Sequence, residues 1–577
     1  MNRRLECLGC LLLVLIWTVG KARAAEKSAG ELLPASVVAY VEVPQPAKVL
    51  DVVFDHPLAR QLQQQPEYKA AQQTPQYEQL QAAIQKAEGA LGQPWRKAAA
   101  EIGAGGLFFG VDLTTRGVVA LAAASSEAQA AKGRDAILEL SRASAASIKE
   151  NEHRGVKVHE IGDAGFAAVG NWLVASNKRA LVWQVIDNHQ GHSEPLAGDE
   201  QFQSVLKART GQPAAWLYAD LRLLKLIPGF RQAIDKKSDN PPVELLAGGI
   251  IGSIPDAPYV TAALDLNPAG VKLKVALPCK PNETAKKREF YLGGEARGVA
   301  PPLLRPQRTL LSAATYRDFA SLWRHAPDLF DDGINAKFAE AESNLTTLFA
   351  GRNFREDILG NLHPGMRLVV TRQEFPPDGI TPAIKLPAGA IVVRMKSPEE
   401  TAKIFKITFQ SVVGFLNVTG GMNGIDPLDL NSEKVGSALI VSGEYLPPRD
   451  AAKRKEAPLH YNASPAAAFV GDLFILSSSR ALAVELAEQV QREAPASAGV
   501  NSSLVLDAAV GQAALADNRG PLIAQNMLEK GHDRAAAEQE IDRVLALLKN
   551  LQRSSLQLAV KEAGLELTLE VLLASQP

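Results

Sequence analysis

Cysteine is nearly missing from this chain. Of three in 577 residues, Cys7 and Cys10 precede an apolar run near the N-terminus, which leaves Cys279 as the one thiol beyond it. No internal disulfide can form there, so the fold must be held by its cores, which a chain of this length has the residues to build. Cys7 and Cys10 are also misplaced for a lipoprotein signal, whose cysteine follows the apolar run. An excess of charge is lacking too: 62 Lys and Arg face 63 Asp and Glu, for a formal net charge of −1. That balance argues against a nucleic-acid binder, which carries a basic stripe to displace counterions from phosphates. Long apolar runs are missing beyond the N-terminus. The strongest, such as 436–443, break at glycine or charge far short of the ~20 residues that span a bilayer. There is no Gly-x-Ser-x-Gly elbow, no Gly-x4-Gly-Lys phosphate loop and no His-Glu-x-x-His.

What is present begins with an address. Arg3 and Arg4 are followed by the apolar run Leu11-Leu12-Leu13-Val14-Leu15-Ile16-Trp17 and then by Ala22-Arg23-Ala24. A basic start, a short apolar core and a small-residue cleavage site predict a secretory signal peptide over 1–24 and an extracytoplasmic location, periplasmic or secreted. Its loss removes Arg3, Arg4, Lys21 and Arg23 against Glu6, which shifts the net charge from −1 to −4. The composition, 46% hydrophobic and 22% charged, is that of a globular chain, and its length calls for two or more domains.

The remaining sequence repeats itself. Val169-Gly170-Asn171-Trp172-Leu173-Val174-Ala175-Ser176-Asn177-Lys178-Arg179-Ala180-Leu181 aligns without a gap on Val470-Gly471-Asp472-Leu473-Phe474-Ile475-Leu476-Ser477-Ser478-Ser479-Arg480-Ala481-Leu482. Each reads as a strand ending in a serine able to cap a following helix. Weaker matches fall in the same order: Trp95-Arg96 with Phe354-Arg355, Leu217-Tyr218-Ala219-Asp220 with Leu504-Val505-Leu506-Asp507, and 269–275 with 563–569. Asp220 and Asp507 each close a strand and are placed to cap the next helix. The expected organisation is a first repeat over 25–298, a linker over 299–305 and a second repeat over 306–577. Each repeat is expected to be an α+β unit, a mostly antiparallel sheet with helices packed on one face. The second carries two insertions rich in proline and charge, near 374–388 and 444–465, of the kind that form surface loops.

The opening Leu33-Pro34-Ala35-Ser36-Val37-Val38-Ala39-Tyr40-Val41-Glu42-Val43-Pro44 resembles that of a family of exported bacterial proteins carrying a domain of unknown function. Those proteins start with leucine-proline-alanine and a tyrosine-containing strand followed by a helix. The resemblance is specific over about a dozen residues. It implies a bacterial, extracytoplasmic setting and brings no activity, cofactor or site.

Candidate chemistry stays below a site. Ser204-Val205-Leu206-Lys207 with Ser238-Asp239-Asn240 imitates two elements of the penicillin-recognising enzymes, but the Lys-Thr-Gly strand that completes them is missing, so a helix face and a polar turn account for the residues. His189 and His192 would place two imidazoles near one metal, yet zinc wants three or four ligands and none is near in sequence. His153 and the His159-Glu160 pair lack a sequence partner. Trp95-Arg96 and Phe354-Arg355 read as aromatic anchors with their arginines snorkelling outward, and Cys279 as a buried bystander. No catalytic, cofactor-binding or metal residue is assigned and no cofactor is expected. The function expected is an exported, non-catalytic binding or structural protein, with an envelope protein or an apolar ligand as partner. The alternatives are a carrier or sensor of an apolar ligand, which a deep apolar cavity would favour, and an envelope hydrolase with an unrecognised site.

Overall fold

The computed structural model describes residues 27–574 apart from 57–58, 60–62, 65, 144–146, 280–288, 295–296, 377–378, 449–453 and 493–498. The expected signal peptide over 1–24 lies outside the described residues. Packing divides the chain into two compact units, Met1–Arg231 with Pro258–Val275, and Gln232–Ala257 with Ala276–Pro577.

The first unit is built on strands β1 (Val37–Val43), β2 (Leu107–Asp112), β3 (Gly117–Ala123), β4 (Lys149–His153), β5 (Val156–Ile161), β6 (Ala164–Val169), β7 (Trp172–Ser176), β8 (Ala215–Asp220), β9 (Tyr259–Asn267) and β10 (Gly270–Pro278). They lie in the order β4-β5-β6-β7-β3-β2-β1-β8-β9, antiparallel throughout, with β10 beside β9. The second unit has β11 (Thr309–Thr315), β12 (Leu362–Thr371), β13 (Ala388–Met395), β14 (Leu428–Val435), β15 (Ala438–Tyr445), β16 (Ala466–Val470), β17 (Leu473–Ser477), β18 (Val500–Asp507), β19 (Leu551–Lys561) and β20 (Gly564–Leu573). Their order is β14-β15-β16-β17-β13-β12-β11-β18-β19-β20, again antiparallel throughout. The fold is α+β.

Local sequence explains the corners. Gly170 and Gly471 sit at φ +56 and +58 in the turns that join β6 to β7 and β16 to β17, a left-handed conformation that glycine adopts without a Cβ clash. The serines ending β7 and β17 do not cap the helices as expected. Ser176 Oγ accepts the Lys178 N–H at 3.0 Å, and Ser477 Oγ accepts the Ser479 N–H at 3.1 Å, so each closes a two-residue turn just before its helix. Asp220 does cap, accepting from Arg222 and Leu223 N–H, as Asp507 does from Val510 N–H.

Helices cover both faces at the centre of each sheet, which corrects the one-face expectation. Val119, Leu121 and Ala123 of β3 share a core with Leu181, Val182 and Val185 of the helix Arg179–His189. Ala120 and Ala122, which point the other way, pack with Ile137 and Leu138 of the helix Glu127–Ala143. In β16, Ala466 and Ala468 meet Leu482 and Leu486 of the helix Arg480–Val490, while Ala467 lies with Phe405, Phe409 and Val413 of the helix Pro398–Met422. The cause is visible in the strands, whose apolar runs 118–124 and 466–470 do not alternate. Each fully buried Leu or Val in these layers contributes roughly 1.5–3 kcal/mol.

Residues 232–257 pack with the second unit through a buried cation. Arg317 is 1% exposed and donates from Nε to the Leu245 carbonyl at 2.8 Å and from Nη1 to Asn501 Oδ1 at 3.0 Å. Its guanidinium lies 5.1 Å from the centre of the Tyr291 ring. Burial pushes its pKa down to about 10, which leaves it protonated at neutral pH and held by carbonyl dipoles and the ring.

Candidate functional site

The second unit contains an open cavity of about 800 Å³, within the range of small-molecule sites. Three helices that follow β18 shape it: Ala508–Ala516, Arg519–Lys530 and Arg534–Leu548, which leads back into β19. Ala508, Gly511 and Ala514 recur at helical spacing along the first, so that wall is thin and leaves room. Leu522, Gln525 and Leu528 recur in the same way on the second helix. Among the 18 residues lining the cleft, Lys385, Asn518 and Gln525 alone carry polar side chains, and Lys385 alone carries a charge.

Another wall, residues 384–387, comes from the connection between β12 and β13. Two asparagines hold this segment from either edge. Lys385 N–H donates to Asn518 Oδ1 at 2.7 Å and its carbonyl accepts from Asn518 Nδ2 at 2.8 Å. On the other edge, Leu386 N–H donates to Asn462 Oδ1 at 2.8 Å and the Ile384 carbonyl accepts from Asn462 Nδ2 at 2.8 Å. Asn462 belongs to the connection between β15 and β16, and the two connections also join where Ala383 N–H donates to the Ala457 carbonyl at 3.0 Å and Ala457 N–H to the Thr381 carbonyl at 3.0 Å. These bonds satisfy the backbone of an extended segment whose apolar side chains, Ile384 and Leu386, are each 43% exposed. Leu386 and Pro387 also line a second space of about 470 Å³ with Ile425, Leu459 and His460. Burial lowers the pKa of the His460 imidazole, whose ring lies 4.4 Å from that of Tyr461.

The residues weighed from the sequence go elsewhere. Ser204 and Lys207 are exposed on the helix Glu200–Ala208. Asn240 caps the helix Pro241–Ile251, with Ser238 accepting its N–H. His153 does find a partner: its Nε2 lies 2.9 Å from Asp187, which also pairs with Arg154, and its ring stacks on Trp183. His159 is buried with Glu160, and Arg179 lies 3.5 Å from Glu160. Trp95 packs on Leu50 and Ala99, while Arg96 pairs with Asp55. Phe354 packs against Trp323 and Phe349. Cys279 is buried and makes no disulfide. No three His, Cys, Asp or Glu gather as a metal site among the described residues, and no helix among them is long and apolar enough to cross a membrane. Lys385, Asn518 and Asn462 escaped the sequence reading. The signal was a single lysine between Ile384 and Leu386 in a proline-bearing insertion.

The cleft's third wall starts in the connection after β12, which is also where a family match ends. Residues 117–379 match the family of proteins of unknown function DUF3352. The DUF3352 match runs from β3 to the first insertion, and no activity is assigned to the family. Comparison with curated proteins finds no match. Among solved structures, crystal form III of TP0453 is 10% identical with a TM-score of 0.25, covering 44% of this chain and 81% of its own. Crystal form I is 9% identical with a TM-score of 0.25, covering 44% and 79%. A TM-score this low does not extend to a shared fold.

Proposed function

We propose that this chain is an exported, non-catalytic binding protein that carries an apolar ligand in the cleft of its second unit. The observation that carries this reading is the chemistry of the cleft wall, where one charged side chain stands among 18 lining residues. Water gains few hydrogen bonds in such a space, and an apolar occupant releases it. An apolar fluorescent dye added to the purified full chain is expected to bind and brighten, and Ala514→Trp, which fills the cleft from its thinnest wall, to weaken that binding at least tenfold while leaving the fold intact by circular dichroism. Unchanged binding in a folded Ala514→Trp variant rejects the cleft as the site.

Export is supported by the Arg3-Arg4, Leu11 to Trp17 and Ala22-Arg23-Ala24 succession. The N-terminal sequence of the protein recovered from outside the cytoplasm tests it, and a start other than Ala25 or a close neighbour counts against it. A tandem duplication is supported by the common strand order of the two units and by Ser176 and Asp220 recurring as Ser477 and Asp507 in the same roles. Superposing the units on those four residues tests it, and strands that then fail to overlay reject it.

A further inference from the structure

We infer that the ligand of the cleft is a single-chain amphiphile with an anionic head group, its tail in the apolar space and its head paired with Lys385. This rests on the reading of the cleft as a binding site and names the class of molecule that fits it. Lys385 is the one charged residue lining the cavity, and among the described residues no carboxylate forms an ion pair or hydrogen bond with its side chain. Several charged residues next in sequence to the lining have partners of their own. Asp517 takes both Arg372 Nε and Nη2, at 2.6 and 3.0 Å. Arg519 and Asp542 form a two-bond pair at 2.7 and 2.8 Å. Asp507 caps its helix through the Val510 N–H, and Glu529 accepts from Gln525 at 2.7 Å. The lining of the cleft itself therefore carries a single charge, positive and half-buried at the edge of an apolar space.

The position of that charge is held firmly. Four hydrogen bonds from Asn518 and Asn462 clamp residues 384–386 from both edges, and Gln373 Nε2 adds a fifth to the Leu386 carbonyl at 2.9 Å. Asn518 also donates to the Ala514 carbonyl at 3.0 Å, which ties the lysine backbone to the thin wall of the cleft. An ordinary surface lysine swings on a free loop. Here the backbone is fixed and the residue is half-buried. A cation held beside an apolar wall suits a ligand that has an acyl or alkyl tail and one negative charge, because the pair forms where water is partly excluded and is worth more there than in bulk solvent. A neutral apolar molecule of the same length would leave the lysine unmatched, and a cationic one would be repelled.

The test is competition against the apolar dye on the full chain, below the micelle concentration, with hexadecanoate, hexadecyl phosphate and hexadecanol. At least one of the two anions is expected to bind roughly tenfold tighter than the alcohol, the difference that a charge-assisted pair supplies. That preference should fall as salt rises and shrink to under about twofold in Lys385→Met, with the fold of the variant checked by circular dichroism. A preference for the carboxylate points to a free fatty acid and one for the phosphate to a phospholipid-derived head group, and either supports the inference. Equal affinity of all three ligands, or an anion preference that survives Lys385→Met, overturns it while leaving the apolar site standing. Failure of the dye itself to bind rejects the cleft reading, an outcome distinct from both.

Discussion

The two units share a strand order and differ in how their connections end. Between β2 and β3 the first unit turns within residues 113–116, and between β5 and β6 within residues 162–163. The second unit takes residues 372–387 and 446–465 for the corresponding steps, and those two stretches pair to build the cleft wall. The interiors differ in the same direction. Two residues before Asp220, Tyr218 pairs with Tyr40 across the sheet, and both rings lie 5.2 Å from Phe202. Two residues before Asp507, Val505 pairs with Ser312, whose hydroxyl donates to the Leu304 carbonyl at 2.6 Å. At this matched position the first unit packs aromatic rings, whereas the second has small residues, and its aromatic packing lies elsewhere, around Phe405, Phe409 and Phe469. One architecture thus supports a filled core in one place and an open site in another, because the sheet order does not depend on what the helices after β8 or β18 leave between them.

Leucine truncation tests that contrast most severely. Leu181 is fully buried in the first unit, so Leu181→Ala should cost about 2–5 kcal/mol in denaturant unfolding, from lost burial and a cavity that cannot collapse. Leu522 borders open space in the second unit, and Leu522→Ala should cost less than about 1.5 kcal/mol. Tryptophan fluorescence follows the first case well, since Trp95, Trp172, Trp183 and Trp216 all lie in the first unit. Equal costs would mean that the cleft is as tightly packed as the core, and the comparison would fail.

A smaller effect comes from pH. Burial lowers the pKa of His159, with Glu150 3.8 Å away pulling the other way. The unfolded chain then binds a proton more readily than the folded one. The stability this neutral histidine contributes is therefore complete above the ordinary value of about 6.5 and falls as pH drops through it toward the lowered folded value, by at most ~1.4 kcal/mol per pH unit. Unfolding midpoints of the parent and His159→Gln, followed by tryptophan fluorescence from pH 8 to 5, should converge as pH falls. A constant gap would show that the buried imidazole makes no difference to acid sensitivity.

A further contrast, whose smallest expected effect is at Phe415, separates two positions of one helix. Within Pro398–Met422, Phe405 is 6% exposed and Phe415 is 66% exposed. Phe405→Ala should therefore destabilise by roughly 3–5 kcal/mol, and Phe415→Ser by no more than about 0.5 kcal/mol. A large loss at Phe415 would reveal packing on the outer face of that helix.

Much of the fold was legible because it is written in short-range patterns. The matched segments 169–181 and 470–482 were read as a strand leading into a helix, and each does run from a strand into a helix, after a glycine turn at φ near +56. Asp220 and Asp507 announced their helices through the hydrogen-bonding reach of a carboxylate next to a free helix end. The coverage of both sheet faces was also present in the unalternating apolar runs 118–124 and 466–470. The candidate site was not legible. Asn518 and Asn462 lie 133 and 76 residues from the backbone atoms they clamp, and no periodicity records such a pairing.

Taken alone, the sequence determined that Asp220 and Asp507 cap helices and that the stretches near 374–388 and 444–465 are rich in proline and charge, because these properties depend on neighbours a few positions apart. Only the tertiary structure decided that those stretches join each other, that they hold Lys385 beside an apolar space, and that residues 232–257 pack around Arg317. Each of those outcomes depends on which distant groups must share hydrogen bonds and exclude water once the chain is compact, a condition that no local pattern contains.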